Sequence, residues 1–496
     1  MIPICTGCEI VWQAVKLTIS TDIPNPWKLA GCLPSTTSTG SPATALPTRI
    51  LDLGAIASSQ IALRETEDET GRYLCLSYCW GTAEFLKTTR DNLERHKQGI
   101  KAEDLPQTLQ DAIHIARFFG VRYVWIDALC IIQHDEDNAN WERESGRMVD
   151  VYRNSYLTVA ATWADSAHGS CFKASEQDVV DLGSVTMRRI HHFPQTATPK
   201  LSIHFPLLSR AWGYQERILS PRVVHFGRQE ILRECHQRST CECGSMTYGE
   251  GESAKKTFHE TISEFRSENY HRSPQHTWRQ MVVQYSPLQL TYATDKLPAF
   301  SGLADEMQHN NKQDYLAGLW RDTLILDMCW YRNRYYRENT TQTPYVFQRA
   351  PSWSWASVDG PVRYHRELYH PEVLDAQCSL AGPSLTGHVT GGFVELRCSM
   401  IPAHVHDRVI SVGSHVSSCW IPDRRCGMEE EGGEYYLYYF IPMATAPTYE
   451  SNETLIGLLV EPISPEEFIR IGLIVGLHGE DVRDILGVEK GKVRIV

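Results

Sequence analysis

Three acidic residues stand where an acid has to be explained. Glu144 falls on one side of an amphipathic stretch, WERESGRMVDVYRNSY (141–156). Trp141, Met148, Val151 and Tyr152 share that side. A carboxylate on such a stripe must be paired, neutralised or used in chemistry. Asp127 follows the aromatic run Tyr123-Val124-Trp125. That position is near the carboxyl end of a predicted strand, where open α/β sheets place their crevices. It equally suits a cap on the next turn. Glu216 lies four residues after Trp212 on a third amphipathic stretch, with Arg210 and Arg217 on either side and Arg222 beyond. Arginine grips a carboxylate or phosphate with a bidentate fork. An arginine meeting Glu144 or Asp127 gives an ion-pair core, and one facing open space gives a phosphate site.

Nucleophiles and metals are less well supported. The run YLCLSYCWG (73–81) carries Ser77 and Cys79 into Trp80-Gly81. Alternation puts Tyr73, Cys75, Ser77 and Cys79 on one side of a strand. No G-x-S-x-G elbow surrounds the serine, and buried thiols are most often inert packing groups. Trp80-Gly81 therefore reads as a pocket wall and a permissive turn. Cys5-x-x-Cys8 with Cys32, and Cys235-His236 with Cys241-x-Cys243, lack the complete paired spacing of a zinc motif, so no metal is expected. The stretch GEGESAKK (249–256) lacks the order of a phosphate-binding loop, and GLIVGLHGED carries no dinucleotide fingerprint.

The elements that must hold these groups follow from patterning. Leu109, Ala112, Ile113 and Ala116 make one apolar helical face after Asp104-Leu105-Pro106, and Gly120 ends the helix. VRYVWIDALCII (121–132) begins as a run buried on both faces. Strand, helix and strand within sixty residues predict a βαβ unit and a parallel sheet. A helix over 141–156, a strand in LTVAATWA, and a helix, Ser-Pro stop and strand over 210–227 continue the alternation. Residues 237–275 read as polar and irregular, with a helix near Trp278–Tyr285. After 350, short apolar runs between turn residues predict a β-rich region. The expected domains are an N-terminal arm and Pro/Ser/Thr-rich linker (1–49), an α/β core (50–235), a connecting region (236–350) and a β-rich domain (351–496).

The chain has 496 residues, a formal charge of -12, 15 cysteines, 13 tryptophans and 22 tyrosines. Nothing resembles a basic tail, so a nucleic-acid partner is not expected. No run reaches the length of a membrane span and the first residues do not read as a secretory signal. Reduced thiols in a cytoplasmic protein are expected. The sequons at Asn339 and Asn452 then read as chance matches.

Taken in order, YLCLSYCWG, LPQTLQDAIHIARFFGVRYVWIDALCIIQ, the Trp141/Glu144/Met148/Tyr152 pattern and RAWGYQERILSPRVVHF resemble the fungal heterokaryon-incompatibility (HET) domain. YSPLQLTYATDKLPAFSGLA, YLAGLW and APSWSWAS resemble sequence that flanks it in large family members. Cys79 and Gly213-Tyr214 depart from the family pattern. The resemblance implies a HET-type, distantly TIR-like α/β fold with a parallel-sheet core, followed here by the β-rich C-terminal region. It also implies a setting in nonself recognition and cell death. Three functions follow as expectations. One is an effector acting through homo-oligomeric assembly or an incompatibility partner protein. Another is a hydrolase of a nucleotide-sized ligand, with NAD as substrate. In that reading Glu144 and Asp127 are catalytic, and Ser77, Trp80, Gly81, Arg210, Glu216, Arg217 and Arg222 line the site, with the Trp80 ring stacking on nicotinamide or adenine. The third is a biosynthetic enzyme closing over a hydrophobic small molecule.

Overall fold

A computed structural model describes residues 43–496 except 56–59, 134–138, 173–178, 182–185, 189–203, 229, 242–252, 268–272, 333–348, 365–367, 370, 383, 407–408, 414, 418–419, 424–437, 448–452 and 479–483. The arm before residue 43, Asn339, Asn452, Cys5, Cys8, Cys32, Cys243 and the side chain of Trp141 lie outside the described residues. The chain forms two compact units, divided between Ser263 and Glu264.

The first unit is built on an eight-stranded mixed sheet. Its strands are β1 (Arg49–Asp52), β2 (Ala62–Glu65), β3 (Tyr73–Ser77), β4 (Tyr123–Trp125), β5 (Leu157–Ala160), β6 (Arg222–Phe226), β7 (Ile231–Cys235) and β8 (Ser239–Cys241). Their spatial order is β8-β7-β6-β5-β3-β4-β1-β2. The four central strands are parallel: β6 pairs with β5, β5 with β3 and β3 with β4. Tyr73 stands opposite Tyr123 and Ser77 opposite Ala160. The parallel core is as expected, but antiparallel strands flank it on both sides, β1 and β2 at one edge and β7 and β8 at the other. Every residue of β3 is buried, which is what a central strand covered on both faces requires.

Helix α1 (Gln107–Phe118) crosses from β3 to β4. Leu109, Ala112, Ile113 and Ala116 are all buried, so the predicted face is the packed one. Helix α2 (Ala139–Arg153) buries Glu144, Met148, Val151 and Tyr152. Helix α3 (Ala211–Leu219) buries most of its length, including Glu216. The strand ends just before Asp127, as expected, and Asp127–Cys130 is a helical turn. One expectation fails here. Residues 237–275 contain β8 and a helix α4 (Ala254–Ser267), held by the buried side chains of Phe258 and Ile262.

The second unit begins with helices Pro274–Tyr285 and Pro298–Asn311 and continues into an eleven-stranded sheet. That sheet is antiparallel apart from Glu467–His478 against Lys490–Ile495, so the β-rich C-terminal region is present. Aromatic residues of the flanking stretches, with Trp278, form one part of its core. Trp278, Tyr285, Phe300, Trp320 and Trp355 are buried, and their rings meet mostly edge to face. The indoles of Trp278 and Trp355 both donate to the Gly318 carbonyl, at 2.8 and 3.0 Å. A Cβ on Gly318 would sit 2.5 Å from Trp355 Nε1, and the residue has φ +99°. Only glycine fits that hairpin turn. Among the described residues no helix is long and apolar enough to cross a membrane.

Candidate functional site

The carboxyl ends of the central strands converge on one cluster. β3 ends at Ser77 and continues through Tyr78 and Cys79 to Trp80 and Gly81, while β4 leads through Ile126 to Asp127. Gly81 has φ +74°, and a Cβ there would lie 2.5 Å from Ser166 Cβ. The turn that leaves the strand therefore needs glycine. α3 brings Arg210, at its N-terminal boundary, and Glu216 to the same place.

The contacts are specific. Trp80 Nε1 donates to Asp127 Oδ2 at 2.9 Å, and the Ala128 N–H donates to Oδ1 at 2.7 Å. Ser77 Oγ donates to Glu216 Oε2. The Arg210 guanidinium donates to the Tyr78 carbonyl. Tyr152 donates to the Leu76 carbonyl at 3.3 Å, and its hydroxyl faces Glu216. The Tyr78 hydroxyl is buried without a formed hydrogen bond, close enough to Asp127 to act on it. Ser77 and Glu216 are buried, whereas Trp80, Asp127 and Arg210 are only half-buried. The part of the cluster that keeps some exposure is thus Trp80, Asp127 and Arg210.

Electrostatics sets the two acids apart from ordinary carboxylates. Burial pushes Glu216 up to about 7, against the pull of Arg210 and of the Ser77 hydrogen bond, and the negative charge of Asp127 adds to the rise. Burial also raises Asp127, opposed by Arg210, the Trp80 indole and the Ala128 N–H. One guanidinium therefore serves two carboxylates, and a proton is retained near neutral pH. A raised acid beside a second acid in a strand-end crevice is a physical pattern that functional sites share.

The remaining candidates stand elsewhere. Glu144 is buried, but its partners are on its own helix: Arg143 Nε at 3.3 Å and Arg147 NH1 at 3.8 Å. Among the described residues no hydrogen bond or ion pair joins it to Asp127 or Glu216. Arg217 forks onto Glu234 with two 2.6 Å hydrogen bonds. Arg222 donates to the Tyr156 carbonyl at 3.2 Å, at the opposite end of the parallel strands. Cys235, His236 and Cys241 belong to no group of three potential metal ligands among the described residues.

A second buried string was not anticipated. Thr162 Oγ1 lies 3.0 Å from His225 Nδ1, and His225 Nε2 lies 3.1 Å from Glu234 Oε2. This has the hydrogen-bond order of a hydrolase triad. Thr162 is 0 % exposed and cannot meet a substrate. Burial holds His225 below its ordinary value, against the pull of Glu234. Arg217 carries the Glu234 carboxylate well below the usual range despite burial. The string ties β6 and β7 together. The signal for it in the sequence was a histidine in RVVHF and a glutamate in ILREC, two short strands that are largely apolar apart from Arg222 and Arg233.

Residues 73–216 match the family model described as Heterokaryon incompatibility protein (HET). Over that span the chain is a HET domain. No curated protein and no solved structure matches the chain. The match opens on the first residue of β3 and closes on Glu216. Ser77, Tyr78, Trp80, Asp127, Tyr152, Arg210 and Glu216 all lie inside it, while the Arg217–Glu234–His225 network extends past its end. The strand-end cluster therefore lies within the matched span.

Proposed function

We propose that this protein is an effector of the heterokaryon-incompatibility type whose HET domain binds a nucleotide and cleaves its N-glycosidic bond, with NAD as the substrate. The observation that carries this reading is a partly buried carboxylate, Asp127, fixed at a strand end by an indole and a backbone N–H and backed by a second acid whose ionisation burial pushes up to about 7. Asp127 is the catalytic residue. Its charge lies where a ribosyl cation would develop as the bond to nicotinamide breaks and the bonding pair leaves with the ring nitrogen. Water then adds at the ribose carbon, and its proton passes to Asp127 and on to solvent. Trp80 offers a ring for the base. Glu216 and Ser77 are positioning residues, because they reach the ligand only through Arg210 and the strand end.

The test is NAD consumption by the full chain, with Asp127→Asn as the variant. Asparagine can still accept from Trp80, so the fold is expected to hold. Turnover should fall about 10²-fold or more, the scale seen when one electrostatic stabiliser is removed. Wild-type protein without NAD turnover, as monomer or assembly, overturns the enzymatic reading and leaves assembly as the mode of action. Unchanged turnover in a folded Asp127→Asn protein removes Asp127 from the mechanism.

A further inference from the structure

Two of the stretches that flank the HET-like blocks, TYATDKLPAF and APSWSWASVDG, meet in the second unit around the loop Val358-Asp359-Gly360. Two cations bond to that loop and a third lies beside it. Lys296 is 4 % exposed and its ammonium donates to the Val358 carbonyl. Arg349 is 2 % exposed and its NH1 donates to Asp359 Oδ1 at 2.7 Å. Arg332 NH2 lies 3.8 Å from where a Cβ on Gly360 would stand.

Among the described residues, two acids are seen with them, Asp359 and Asp423. Asp359 has a 47 % exposed side chain. Asp423, whose carbonyl accepts from Arg332 at 3.2 Å, has its carboxylate taken by Arg470 at 2.7 Å. Donors outnumber acceptors. Arg349 Nε is buried with no hydrogen-bond partner, although arginine donors at full burial are normally all satisfied. Lysine has three protons to donate, and the one hydrogen bond described for the Lys296 ammonium is to Val358. Burial, then Arg349, brings Lys296 down to about 7, with Asp359 opposing. Burial is the larger cause of that direction, and the neighbouring Arg349 charge adds to it.

We propose that Lys296, Arg349 and Arg332 form a binding site for a phosphate-sized oxyanion at the Val358–Gly360 loop, reached from the side that Asp359 leaves open. An oxyanion there would accept from Arg349 Nε and from the free protons of Lys296, and it would hold Lys296 charged. The ligand class is an inorganic phosphate or a small phosphomonoester. The site lies in the second unit and does not rest on the HET-domain chemistry.

The experiment is calorimetric titration of the full chain with inorganic phosphate, and separately with glycerol phosphate, against chloride at matched ionic strength. The variants are Lys296→Met and Arg332→Gln. One site per chain is expected. Binding should weaken about tenfold or more in each variant, as loss of a charge-assisted hydrogen bond implies. Tighter binding of glycerol phosphate identifies an organic phosphate as the ligand, and equal or weaker binding identifies the free anion. The proposal fails if the wild type binds neither anion at up to about 10 mM, or if a folded variant binds as the wild type does. If Lys296→Met does not fold, Arg332→Gln alone decides, since Arg332 is only half-buried.

Discussion

Replacing Glu216 by glutamine tests whether the acid behind Asp127 is protonated near neutrality. Glu216 is 4 % exposed, with an ordinary value of 4.5 raised to about 7 in the fold. A group raised on folding stabilises the native state fully below its unfolded value, and that contribution is lost as pH rises through the folded value. The shift amounts to about 2.5 units, or about 3 kcal/mol of stability lost between pH 5 and pH 8. Glutamine cannot ionise, so the variant lacks this loss. Absolute stabilities also contain the weakened contacts to Ser77 and Arg210, and other groups titrate in the same window. Lys296, held down to about 7, adds stability as pH rises. The quantity to measure is therefore the difference in unfolding free energy between wild type and Glu216→Gln, by urea melts at half-unit steps. Two compact units need not melt together, so the transition that the substitution moves is the one to follow. The difference should shift by about 3 kcal/mol in favour of the variant from pH 5 to pH 8. A flat difference refutes the reasoning, because Glu216 would then be ionised throughout.

Glu144→Gln should leave NAD turnover unchanged and lower stability by about 1 kcal/mol or less, since its partners Arg143 and Arg147 have side chains more than half exposed; turnover assays with thermal melts check both. Arg217→Met should destabilise the protein by about 3–5 kcal/mol, because Glu234 would be left ionised and buried without its fork. A urea midpoint within error of wild type would show that Glu234 is neutralised or re-paired instead.

The βαβ core was legible because its signals agree. An apolar helical face and two aromatic runs predicted α1 between β3 and β4, and Tyr73 does pair with Tyr123. β1 and β2 were not legible, since RILD and ALRE are four-residue strands bearing charges. α4 was hidden because Phe258 and Ile262 are its only fully buried apolar side chains among the described residues and the surrounding stretch is polar. The end of the strand near Asp127 was legible, since an aspartate suits a strand end or a cap, but the helical turn Asp127–Cys130 was not, because an apolar run fits a buried strand and a buried helix alike.

Glu144 and Glu216 make the same pattern in the sequence and opposite arrangements in space. Each is an acid on an apolar helical stripe with arginines close by. Glu144 keeps its local arginines, at i−1 and i+3, and their exposed side chains answer its charge from the helix surface. Glu216 loses Arg217 to Glu234, a residue on a strand that follows the helix. It must then share Arg210 with Asp127, an acid delivered by a strand nearly ninety residues earlier. Burial is what pushes Glu216 up to about 7, and the nearby charge of Asp127, which no spacing rule records, adds to the rise while the shared Arg210 opposes it. On the proposed reading this arrangement also sets the response to substrate. A pyridinium ring arriving beside Asp127 brings a second positive charge to the cluster, which favours ionisation of both acids. Binding would then release a proton, and the breaking of the glycosidic bond would neutralise the ring as the ribosyl carbon takes up the charge that Asp127 faces.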